Sequence, residues 1–177
     1  MKGTYGDRLH IEWLAFPLEQ VNTTQGPEWK LWEQPDEYKS KGLWAFRAAE
    51  AARLEGKEAF ERFHIGLLRA RHEEKWDISD RQIMIEVATR AGLNVERFRL
   101  GLANRSLLAK IGEDYTRGVK EHGVWGTPTL VFNGQQAAYL KLRPAPPAEE
   151  SVKLFEELFD IVYGRPYVIE VKRPRLS

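Results

Sequence analysis

Gly123-Val124-Trp125-Gly126-Thr127-Pro128-Thr129-Leu130-Val131-Phe132-Asn133-Gly134 decides how this chain is read. A Gly-x-Pro turn delivers a proline to the first position of a strand, where a missing N–H is tolerated. Thr129-Leu130-Val131-Phe132 is a short apolar run, and Asn133-Gly134 is a strong two-residue hairpin signal. Residues 137–142, Ala-Ala-Tyr-Leu-Lys-Leu, can return antiparallel before Arg143-Pro144-Ala145-Pro146-Pro147 breaks the strand. The stretch is a loop that feeds a hairpin.

Upstream of that hairpin the hydrophobic period is helical. Leu43–Leu54 is rich in good helix formers and Gly56 is a natural terminator. Lys57–Glu74 repeats Phe60, Phe63, Leu67 and Ala70 at spacings of three and four. Ser79-Asp80-Arg81-Gln82 has the form of a capping box and opens a helix carrying Ile83, Val87 and Ala88 up to Gly92. Asn94 can cap the next helix, through Phe98, Leu100 and Leu102, and a fifth runs from about Ser106 to His122. Five helices with short joints make a block of about 80 residues.

The flanks are different. Leu9-His10-Ile11-Glu12-Trp13-Leu14-Ala15 begins by alternating apolar and polar residues and stops ahead of Pro17, which predicts a strand over about 9–15. Val21–Lys41 is polar, with Gly and Pro, and predicts a long loop pinned by Trp29 and Trp32. After the hairpin, Ala148–Val162 places Val152, Phe155, Leu158, Phe159 and Val162 on one helical side, with Glu149 and Glu150 at its first turn. Tyr167–Val171 is a candidate last strand. The order of strand, helical block, two strands and helix predicts a mixed α/β architecture in which the helices interrupt a small sheet.

Composition excludes several functions. The 177 residues carry 27 Lys and Arg against 26 Asp and Glu, a net charge of +1, so generic electrostatic binding of nucleic acid has no support. With no cysteine, the chain has no disulfide, thiolate nucleophile or Cys-ligated metal. No run approaches the roughly 20 apolar residues of a membrane span, and the first residues lack a secretory core. The chain therefore reads as soluble and cytoplasmic, without membrane or nucleic-acid partners. His64 and His72 lie eight apart on one helix, about 80° apart in projection, which is too divergent for a metal pair. No metal site is expected. Trp13 and Trp44 fall within apolar patterns and are assigned to the core. Lys172, Arg173 and Arg175 form a basic terminus read as solvated.

The proline loop and its hairpin resemble those of the DsbA-like thioredoxin-fold family. The resemblance extends to Trp13-Leu14-Ala15-Phe16-Pro17-Leu18, to Ala59-Phe60-Glu61-Arg62-Phe63 leading into Asp77-Ile78-Ser79, and to Ala91-Gly92-Leu93-Asn94. It covers about residues 7–162 and is nearest to the branch of polyketide-associated oxidoreductases and hydroxychromene-carboxylate isomerases. It implies an α/β, incomplete thioredoxin-like fold with an inserted all-helical subdomain. Residues 1–42 and 123–163 form the core, 43–122 the insertion, and 164–177 an extension with the candidate strand 167–171. It further implies a cis bond between Thr127 and Pro128. That geometry turns the N–H and C=O of Thr127 outward, where an extended peptide or glutathione can pair with them as an added strand. Thr127, Pro128, Trp125 and Gly126 are the substrate-binding residues so implied, with Trp125 lining the groove. No cofactor is expected, glutathione being the one such ligand the resemblance leaves open.

The family's catalytic half is not carried over. Its members open with a strand and a helix whose N-terminus holds Cys-x-x-Cys, or Ser in the isomerase branch, where the helix dipole stabilises an anion. Here Lys2-Gly3-Thr4-Tyr5-Gly6-Asp7 resembles the junction after that helix, so the expectation is a chain without the first strand and helix, and no residue is assigned a catalytic role. The absent strand would lie between residues 9–15 and 128–132. Tyr167–Val171 is expected either to fill that slot or to be exchanged with a second copy. Three readings stay open: a disulfide oxidoreductase by kinship that is inactive as this Cys-free chain, a non-catalytic module binding peptide or glutathione at the Thr127–Pro128 loop, and a structural oligomer that dimerises through the exposed edge or the C-terminal strand.

Overall fold

The computed structural model describes residues 2–173. It is helix-rich with one two-stranded sheet, a mixed α/β chain as the sequence predicts. Its contacts group into two compact units, one holding Leu14–Thr116 and the other the residues up to Trp13 together with those from Arg117 onward.

The unit from Leu14 to Thr116 is helical. The first helix, α1 (Lys2–Tyr5), belongs to the other unit; here, after a single turn, α2 (Leu18–Val21), come α3 (Leu43–Arg53), α4 (Lys57–His72), α5 (Arg81–Arg90), α6 (Val95–Ala103) and the start of α7 (Leu108–His122). The alanines of α3, Ala45, Ala48, Ala51 and Ala52, are buried, and their small size lets α6 approach closely. A methyl on Gly101 of α6 would lie 2.9 Å from the Ala51 Cβ. Phe63 of α4 and Phe98 of α6 meet at 5.3 Å between ring centroids, fully buried, with Leu67, Met84, Val87 and Leu102 around them. The apolar period read on α4 is the face it buries.

Where the sequence sets the boundary of the helical block at residue 43, the compact unit begins at Leu14, because the long loop packs on the helices. Leu31 is buried with Leu43, Leu108 and Ile111, and Ala15, Trp29, Trp32 and Phe46 pack against them. Gln20 holds the loop's own backbone, donating to the Trp29 carbonyl at 3.0 Å and accepting from the Leu31 N–H at 2.8 Å. Arg47, almost fully buried, donates two hydrogen bonds of 3.0 Å to the Asp36 carboxylate, and its guanidinium lies 4.0 Å from the centre of the Trp44 ring.

In the other unit β1 (Thr129–Phe132) and β2 (Gln136–Tyr139) pair antiparallel, with Thr129 opposite Tyr139 and Phe132 opposite Gln136. Asn133 and Gly134 take φ of 51° and 69° in a three-residue loop, one residue longer than the two-residue hairpin the sequence predicts. The helix α8 (Ser151–Val162) covers the hairpin. Phe155 and Phe159 meet the Phe132 ring at 5.9 and 5.4 Å, and Tyr5 packs on Phe155 while donating to Glu156 at 2.5 Å.

Several expectations are corrected. Residues 9–15 are irregular, not a strand: among the described residues the sheet holds β1 and β2 alone, so nothing offers that segment a ladder. A side chain serves one of its backbone groups instead, the Ala15 N–H donating to Asp114 at 3.0 Å. The return strand covers 136–139, not 137–142. The candidate strand 167–171 is irregular, and Tyr167, Ile169 and Val171 are 77%, 95% and 80% exposed, so it fills no slot in the sheet of its own chain. Asp80, not Ser79, caps α5. Trp13 is 36% exposed and not core, whereas Trp44 packs partly buried on the main cluster. Of the basic terminus, Lys172 and Arg173 are exposed and Arg175 lies outside the described residues.

Candidate functional site: the loop before the first strand

The segment between α7 and β1 is built by three local devices. Gly123, at φ 60°, ends α7, a conformation that a side chain would resist. The Val124 N–H then reaches back to the Gly118 carbonyl at 3.0 Å, which turns the chain. At the far end the Thr129 hydroxyl donates to the Gly126 carbonyl at 2.7 Å, closing the loop, and the Leu140 N–H donates to the Pro128 carbonyl at 3.0 Å, tying it to the strand after Tyr139. The Thr127–Pro128 peptide bond is cis, as is Arg143–Pro144.

Within this frame Gly126 is buried while Trp125, Thr127 and Pro128 are exposed. Trp125 is 66% exposed and leans on Tyr139, with ring centroids 4.5 Å apart and planes tilted by 40°. A side chain at Gly126 would meet the Tyr139 ring edge at 3.3 Å, so glycine is what lets that ring lie flat beneath the loop. Tyr139 is the residue the sequence reading does not single out. Its register signal was legible: the returning strand has one aromatic residue, and that residue falls opposite Thr129, beside the proline loop.

The hydrogen bonding of the hairpin fixes which groups stay open. Antiparallel ladders alternate pairs that bond to each other with pairs that point outward. Leu140 bonds Pro128, so residues 130 and 132 face β2, and Thr129 and Val131 direct their N–H and C=O to the other side of β1. Among the described residues, that side has no strand, and neither peptide group of Thr127 has a hydrogen-bond partner. The result is a row of donors and acceptors without a ladder partner on exposed Thr127 and on half-buried Thr129 and Val131, bordered by an exposed indole. Such an edge can accept an extended chain as an added strand.

Among the described residues no group of three His, Asp or Glu is placed to hold a metal ion, and no helix is long and apolar enough to cross a membrane. His64 stacks on Phe60 at 5.4 Å, and burial, with the nearby Arg53 charge second, pushes its pKa down.

Comparison with known proteins adds two findings. A family model described as Thioredoxin matches residues 4–143. The ClpXP adapter protein SpxH of Bacillus subtilis (strain 168) is 27% identical over 156 residues, which cover 86% of this chain and 51% of that protein. The chain thus spans about half the length of the curated relative it matches.

Proposed function

Because the chain belongs to the thioredoxin family, we propose that it serves as a protein-binding module, which holds an extended polypeptide segment at the Gly126–Thr127–Pro128 loop without thiol chemistry. The observation that carries this reading is the pair of unpartnered, exposed peptide groups on Thr127 beside the Trp125–Tyr139 aromatic pair. Main-chain hydrogen bonds supply affinity that tolerates many sequences, and the indole favours segments with an apolar side chain in reach. Kinship to an adapter protein supports a role in which the partner is another polypeptide. Oxidoreductase kinship supplies the scaffold, but the 177 residues contain no cysteine to exchange. Insulin reduction by this chain therefore runs at background.

The test uses an unfolded polypeptide with its thiols blocked, reduced and alkylated α-lactalbumin, titrated against the chain by fluorescence anisotropy. Saturable binding is expected. Trp125→Ala, at an exposed position that leaves the fold intact, weakens it by about 5- to 30-fold, the cost of truncating an aromatic anchor. No saturation, or equal affinity for Trp125→Ala, defeats the reading. Glutathione in the same assay tells whether a short peptide suffices.

A further inference from the structure

We infer that Tyr167–Val171 of one copy adds as a strand to the open edge of β1 in a second copy, so that the chain self-associates by reciprocal strand exchange. Two observations within the same unit meet here. The first is the edge itself, with the N–H and C=O of Thr129 and Val131 turned away from β2 and Thr127 unpartnered beside them. The second is a segment of the right chemistry with nothing to do. Tyr-Val-Ile-Glu-Val is built from aromatic and β-branched residues that suit a pleated strand, it is irregular, and three of its five side chains are more than three-quarters exposed.

The occupant is a second copy because the segment does not take the edge of its own chain. The end of α8 is fastened at the hairpin, with Tyr163 donating to Gln135 at 3.4 Å and stacking on Phe159 at 5.1 Å. A turn then follows, closed by the Val168 N–H on the Arg165 carbonyl at 2.9 Å, and from it the segment runs into solvent. Exposed in this way, the irregular segment carries apolar, strand-forming side chains into water, and such a segment is prone to pair with the open edge of another chain. Closed two-fold symmetry follows from each copy giving one strand and receiving one.

This inference shares the β1 edge with the peptide-binding reading but needs no external ligand, so the two fail separately. The experiment is sedimentation velocity of the full chain from about 1 to 100 μM, the range of a moderate interface, beside the double variant Ile169→Asp with Val171→Asp. Both substitutions lie at exposed positions and leave the folded unit unchanged, which circular dichroism checks. The wild-type chain is expected to dimerise across that range and the variant to remain monomeric. Amide hydrogen exchange locates the contact: the Thr129 and Val131 amides are expected to exchange at least about tenfold more slowly in the dimer than in the variant. A wild-type chain that stays monomeric, a variant that dimerises equally, or a dimer in which those two amides exchange as fast as in the variant overturns the proposal.

Discussion

Gly112 sits in α7 where a methyl group would lie 2.6 Å from Cε2 and Nε1 of Trp32. Replacing a helical glycine by alanine ordinarily gains about 1 kcal/mol. Here overpacking outweighs that gain, because the half-buried indole, held against Tyr115 at 5.5 Å and packed on the Leu31–Ile111 cluster, must shift to admit the methyl. Gly112→Ala is expected to lose about 1–2 kcal/mol net, read as a lower midpoint in urea unfolding. Asp36 gives a prediction with a pH signature. Its hydrogen bond from Arg47 holds the carboxyl below its ordinary value of 3.8, against a smaller opposing cost of burial. A depressed carboxyl contributes stability that is present above the unfolded pKa and lost as pH falls through the folded one. Asp36→Asn is therefore expected to cost about 1–2 kcal/mol at neutral pH, discounted because Asp36 is partly exposed, and the gap to wild type narrows below about pH 4. A gap independent of pH would show that the charge contributes nothing. Neither residue was legible in the sequence. Trp32 and Gly112, or Asp36 and Arg47, are brought together by a loop whose polar composition carries no period to read.

At the scale of elements, what repeats locally was readable and what depends on a neighbour was not. The faces of α4 and α6 follow from the spacing of Phe60, Phe63, Leu67 and Ala70 and of Phe98 and Leu102, although Leu100, read with them, is 74% exposed, and Asn94 caps α6 by accepting from the Arg97 N–H. The cap of α5 shows how close the limits are. Ser79 has the right type and spacing, but its N–H and hydroxyl both donate to the Asp77 carboxylate, which leaves the cap to Asp80, accepting from Gln82 at 2.7 Å. Asp80→Ala is expected to destabilise the chain by about 1 kcal/mol and Ser79→Ala by less. The reverse order in thermal unfolding would return the cap to Ser79. Residues 9–15 and 167–171 have strand-like patterns without being strands, because a strand exists only when another chain segment faces it, and that is a property of the sheet and not of the seven or five residues themselves.

For the molecule as a whole, the order of elements was sufficient for the α/β class, and the proline loop with its hairpin, taken in order with the motifs around it, pointed to the thioredoxin family but not to a branch of it. The aromatic floor of the site was not, since Tyr139 reaches Trp125 only through the register of the hairpin. The account rests on one claim, that an edge of the sheet beside Pro128 is kept open to receive an extended polypeptide. Amide-resolved NMR tests it most directly, with ¹⁵N-labelled chain titrated with reduced, alkylated α-lactalbumin. The account predicts that the amides of Thr127, Thr129 and Val131 shift together and saturate while those of Phe63 and Val87 in the helical core stay in place. Saturable shifts confined to the helices, with Thr127 unmoved, would contradict it.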